Sequence, residues 1–184
     1  MSTGPAQVLE KSGRSVLNLI PLIVFSSAMV FAAVWDLTTM TIPNCLTLAL
    51  AAGFVLVLPF SGLGLAQIGL HIAAGAVMLL VGMACFGFGW IGGGDAKLVA
   101  ATALWIGWSD LLVYLLMASV FGGALTLLIL YFRSLPLPLA LGRQAWVARL
   151  HDQKAGIPYG LALAAGALFI LPQTGWFKLA SSLA

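Results

Sequence analysis

Apolar residues run along this chain in long, nearly unbroken stretches, interrupted by short polar or glycine-rich breaks. The alternation of inward and outward residues that a membrane β-barrel needs is missing. Backbone groups in lipid must pair within their own segment or within a closed barrel, so the stretches predict helices. A bilayer crossing takes about 20 residues. On that measure the pattern predicts six spans, at about 17–36, 43–60, 66–88, 95–108, 110–132 and 158–172. The fourth is short: at 1.5 Å per residue it reaches only about 20 Å. Pro43 suits the start of the second span, since its missing N–H would be unpaired there anyway. Ser109 or Asp110 is placed to cap the fifth.

Two segments stand outside this pattern. Residues 1–15 are polar, with Lys11 and Arg14 ahead of the first apolar run. That run is too long for a signal peptide and has no small-x-small cleavage site, so it reads as an uncleaved first helix. Residues 16–184 then form a single membrane-embedded domain. The connection 133–157 carries Arg133, Arg143, Arg149 and Lys154. It is expected to be either a basic loop or an interfacial helix around 139–151.

Composition agrees with the pattern. Of 184 residues, 62% are hydrophobic and 7% charged, and the mean hydropathy is +1.11. A soluble domain carries roughly 25% charged residues, so lipid must be the main solvent and the bilayer the first partner. The net charge of +3 comes with no basic stripe and no interleaved aromatics, which argues against nucleic-acid binding. No cysteine pair or Cys/His cluster suggests a metal, and no cofactor motif is present. Cys45 and Cys85 are expected to pack between helices, His71 to be a satisfied packing histidine, and His151 to be solvated. Trp90, Trp105, Trp108, Trp146 and Trp176 are expected to form interfacial belts.

Cations set the orientation. With six spans, Lys97, Arg133, Arg143, Arg149 and Lys154 fall on one side, and Lys11, Arg14 and Lys178 on the other. The richer side is expected to be cytoplasmic.

The chain has five acids: Glu10, Asp36, Asp95, Asp110 and Asp152. Asp36 and Asp95 stand at junctions between an apolar run and a short break, where an acid is costly and usually functional. Asp36 ends the first span and Asp95 opens the fourth, so the six-span arrangement puts both at one membrane depth. Two such carboxyls share a proton. One can then act as a base on water while the other protonates a carbonyl. The run Gly92-Gly93-Gly94 before Asp95 permits close approach of an extended peptide. Lys97 is placed either to reach the headgroups or to meet an acidic group of a substrate.

The segment Asp36-Leu-Thr-Thr-Met-Thr-Ile42-Pro43-Asn44 resembles the Asp-(x)5-Ile-Pro-Asn signature of prepilin peptidases, also called type IV leader peptidases. Gly92-Gly-Gly94-Asp95-Ala-Lys97-Leu98 is similar to their Gly-x-Gly-Asp-x-Lys-Leu motif, and Ile157-Pro158-Tyr159-Gly160 to their closing Pro-Tyr-Gly helix. The resemblance implies an all-α, polytopic inner-membrane aspartyl endopeptidase with Asp36 and Asp95 as its catalytic pair. It implies removal of positively charged leaders from prepilins and pilin-like proteins at the cytoplasmic face, after a glycine. Gly92, Gly94 and Lys97 would belong to the active-site loop, with Pro43, Asn44, Pro158 and Tyr159 supporting the motifs. The pilus assembly machinery would be a further partner. The cysteine-bearing stretch of the larger, N-methylating members is missing, so the chain resembles the short peptidase-only branch associated with Flp pili. Two other readings use the same carboxylates: an ion- or proton-coupled transporter, and a non-catalytic membrane subunit of pilus assembly.

Overall fold

The computed structural model describes residues 5–181, and side chains from 19 to 178 except those of residues 139 and 140. Among the described residues are nine α-helices, α1 (Pro5–Thr39), α2 (Asn44–Val57), α3 (Leu65–Gly87), α4 (Gly93–Ile106), α5 (Trp108–Ser134), α6 (Leu139–Gly142), α7 (Ala145–His151), α8 (Tyr159–Ile170) and α9 (Gly175–Ser181), with 3-10 turns at Leu58–Phe60 and Leu171–Gln173. Helix makes up 82% of the structure, with no strand among the described residues. Among the described residues, three segments are long and apolar enough to cross a membrane: Leu19–Thr39, Leu65–Gly87 and Trp108–Ser134. Asn44–Phe60 and Tyr159–Gln173 are shorter apolar helices. The protein is thus an all-α membrane protein.

Helix α4 is the hub and packs against α2, α3, α5 and α8. Ala96, Leu98 to Ala103, Trp105 and Ile106 are all buried in it or nearly so. A helix apolar on every face is buried on every face. Because protein surrounds it, α4 need not match the bilayer thickness, and 14 residues suffice. The outer helices α3 and α5 instead turn Leu80 and Leu127 outward, at 68% and 70% exposure. Such surface suits lipid.

Small residues let the helices close up. At Gly166 of α8, an added Cβ would lie 2.8 Å from the Ala118 nitrogen of α5. At Gly82 of α3 it would meet Ala96 of α4 at 3.1 Å.

The end of the bundle where α4 finishes is held by aromatic side chains. Trp105 Nε1 donates to Leu50 O at 2.8 Å, and Trp176 Nε1 to Trp105 O at 2.6 Å. His71 Nδ1 lies 2.9 Å from Leu104 O, so the ring is the donor there. The His71 and Trp176 bonds occupy carbonyls in the last turn of α4, which the helix itself leaves unpaired. His71 is therefore a packing histidine, as expected. Trp105 and Trp176 are core residues at 1% and 5% exposure, which corrects their assignment to an interfacial belt. Their N–H groups have protein acceptors and need no headgroups.

Other boundaries also differ from the sequence expectation. Helix already begins at Pro5, within the polar segment; the side chains of Lys11 and Arg14 lie outside the described residues. Neither Ser109 nor Asp110 caps α5. Gly107, at φ 79°, ends α4 and starts α5 within one residue, a left-handed conformation suited to glycine. The connection after α5 folds as two short helices, α6 and α7, instead of one helix or a plain loop. Cys45 is exposed, so it does not pack between helices as expected.

The packing gives a direct contrast. Gly166→Ala should lower the thermal midpoint by the equivalent of about 1–3 kcal/mol, because α5 backbone blocks the new methyl. Gly123→Ala has nothing within 4 Å and should stabilise its helix by about 0.5–1 kcal/mol. Thermal unfolding of the purified protein in detergent compares the two.

Candidate active site

The opposite end of the bundle gathers the C-termini of α1, α3 and α5 and the N-termini of α2, α4 and α8. All three sequence motifs meet here. Asp36 lies in the last turns of α1 and is 4% exposed. Asp95 is the third residue of α4. Both line one cavity of about 680 Å³, whose walls also include Met40 to Ile42, Gly89 to Gly94, Gly156, Ile157 and Tyr159. The two carboxylates thus come from distant parts of the chain to one cavity.

Asp36 is held by a helix start. The first N–H groups of α8 have no i−4 partner within their own helix, and its N-cap Pro158 supplies no side-chain bond. Asp36 serves instead: Gly160 N donates to its Oδ2 at 2.7 Å. Asp95 packs beside Gly92, the N-cap of its own helix.

Glycine is required by contact at these points. A Cβ on Gly160 would lie 2.8 Å from Asp36 Oδ2 and 2.8 Å from Ile42 Cδ1. A Cβ on Gly94 would lie 3.1 Å from Ile42 Cβ, and one on Gly92 would lie 3.0 Å from Asp95 Oδ2. Ile42 is thus wedged between the starts of α4 and α8. Gly93 and Gly94 already belong to the first turn of α4 and Gly92 is its N-cap, so the expected glycine loop is largely helix start.

α1 ends abruptly after Asp36. Met40 takes φ 54°, its N–H donating to Asp36 O at 2.7 Å. A left-handed non-glycine residue is strained, and strain of this kind gathers at functional sites. Thr38 O and Thr39 O, at the same helix end, accept Arg149 Nη1 at 3.3 and 3.2 Å.

Other residues singled out by the sequence are placed differently. Lys97 and Asn44 do not line the carboxylate cavity. Lys97 Nζ donates to Asn44 Oδ1 at 2.9 Å, and both line a separate groove of about 540 Å³ between α2, α3 and α4. Pro43 is the N-cap of α2 and Pro158 that of α8. Tyr159 lines the carboxylate cavity, its hydroxyl 3.1 Å from Thr126 Oγ1 of α5.

The sequence reading missed two contributors. The Gly160 N–H is a backbone group and leaves no side-chain signal. Arg133 looked like one more loop cation but is buried. No three of His, Cys, Asp and Glu converge as metal ligands among the described residues.

Such an arrangement defines a polytopic membrane protein with two acidic groups facing one cavity at a single end of its bundle. A model of the type IV leader peptidase family matches residues 23–127, more than half of the chain, and the protein belongs to that family. The matched region contains Asp36, Ile42 to Asn44 and Gly92 to Lys97 but not Gly160. Comparison with curated proteins yields no match, and comparison with solved structures yields none.

The capping role of Asp36 is open to test apart from any chemistry. Asp36→Ala leaves the Gly160 N–H buried without an acceptor and should cost about 1–2 kcal/mol of stability. Asp36→Asn keeps an acceptor oxygen and should unfold close to wild type. Thermal denaturation in detergent distinguishes the two variants.

Proposed function

We propose that this peptidase removes the leaders of type IV, Flp-like prepilins and pilin-like proteins at the cytoplasmic face of the inner membrane, with Asp36 and Asp95 as an aspartyl dyad. The observation that carries the reading is the meeting of two carboxylates from distant helices on one cavity.

The chemistry follows from that pair. A single proton is shared between the two carboxyls, and its titration belongs to both. The ionised carboxylate takes a proton from a water held between them. The water oxygen bonds to the scissile carbonyl carbon while the protonated carboxyl gives its proton to the carbonyl oxygen. When the tetrahedral intermediate collapses, the C–N bond breaks, the leaving nitrogen takes a proton from the dyad, and a hydroxyl of the gem-diol gives one back to it as the new C=O forms. The new acid and amine separate with one proton again on the pair.

The surroundings suit an extended peptide. The substrate must unwind near the cut, because a helical peptide keeps its amides engaged. The cavity wall at Gly92 to Gly94 carries no side chain, so backbone can approach backbone there. The end that holds the cavity also holds Arg133, Arg143, Arg149 and Lys154, and the cation rule orients this end toward the cytoplasm.

Positioned acid–base groups contribute about 10²–10⁴-fold each to rate. Asp36→Asn and Asp95→Asn, each folded and inserted, should therefore process a pilin precursor at least about 100-fold more slowly than wild type. Cleavage of a purified prepilin in liposomes, followed by gel mobility and mass, measures this. Wild-type processing by either variant would end the dyad reading. Proton or ion flux without cleavage would favour transport instead.

A further inference from the structure

Arg133 sits in the last turn of α5 and is only 9% exposed. A buried cation is costly unless its donors are used. No ion pair to an acid is found for it among the described residues. Its partners are three backbone carbonyls: Nε donates to Leu150 O at 2.8 Å, and Nη2 to Ala155 O at 3.1 Å and Gly156 O at 2.9 Å. Leu150 belongs to the end of α7, where carbonyls lack helical partners. Ala155 and Gly156 lie in the turn just before α8. A planar guanidinium fixes all three together; an ammonium is a single point and cannot.

What Arg133 holds is part of the site. Gly156 and Ile157 form one wall of the carboxylate cavity. Pro158 follows, and then Gly160, whose N–H grips Asp36 at 2.7 Å. Only a few residues separate the carbonyl held by Arg133 from the amide that holds Asp36, so a shift in one reaches the other. Arg149 of the same connection binds Thr38 O and Thr39 O, just beyond Asp36 on α1. The connection therefore touches both helices that determine where Asp36 sits.

We propose that Arg133 is a positioning residue for the peptidase: by clamping the Leu150, Ala155 and Gly156 carbonyls it places the start of α8, and through the Gly160 N–H it aims Asp36 at Asp95. This inference rests on the dyad reading above. Arg133 touches no reacting atom. It acts through α8, and its loss should show in turnover more than in substrate affinity.

The test uses the full-length protein in nanodiscs with two readouts, amide hydrogen exchange over residues 154–161 and steady-state cleavage of a prepilin. Arg133→Gln should speed exchange in that segment and leave the rest of the bundle unchanged. A misplaced reacting group costs about 100-fold or less, so kcat should fall about 10- to 100-fold with KM within about twofold. Arg133→Lys should fall between wild type and Arg133→Gln in both readouts. Arg143→Gln removes the same charge from the same connection at an exposed position and should change neither. Unaltered exchange in Arg133→Gln, a defect confined to KM, or loss of the whole bundle in both Arg133 variants would each overturn the proposal. Asp36→Asn run alongside separates the two ideas. If it cleaves like wild type, the dyad reading fails, while the exchange data still report whether Arg133 holds α8.

Discussion

Every helix end leaves backbone groups unpaired, and in a bundle solvated by lipid there is little water to satisfy them. This constraint organises the few polar side chains the protein has. His71 and Trp176 occupy the last carbonyls of α4. Arg149 occupies those of α1, and Arg133 one of α7. Asp36 accepts from the Gly160 amide at the start of α8. The chain has only eight Lys and Arg and five Asp and Glu, and three of them, Asp36, Arg133 and Arg149, are attached to helix termini.

The candidate chemistry grows out of the same constraint. A carboxylate that caps a helix is fixed in place by donors on one side and can face a cavity on the other. Asp36 does this at the start of α8, and Asp95 stands in the first turn of α4 on the same cavity. Rigid placement of reacting groups is what an active site needs, and under the proposed function the termini of buried helices supply it. The cost falls on neighbouring residues. Gly92, Gly94 and Gly160 must lack a Cβ so that carboxylates and Ile42 can approach backbone, and Met40 must take a left-handed turn to end α1 beside the site.

The three short motifs have one structural meaning in common. Ile42 wedges against Gly94 and Gly160, Asn44 accepts Lys97, and Asp36 accepts Gly160. Each motif is therefore complete only in contact with another. Lys97 and Asn44 contribute by tying α2 to α4, away from the carboxylate cavity.

By itself the sequence determined the solvent, the helical class and the number of apolar runs. Each depends on how many apolar residues follow one another, a property local to the chain. It also singled out Asp36 and Asp95, since an acid beside an apolar run is costly wherever the chain folds. Only the tertiary structure decided what depends on contacts between remote segments. It showed that α4 can be short because protein surrounds it, and that Trp105 and Trp176 are core. It revealed Arg133 as a buried clamp and not a loop cation. It also brought forward the Gly160 amide, a partner of Asp36 that no side-chain pattern can announce, because every residue but proline carries the same N–H.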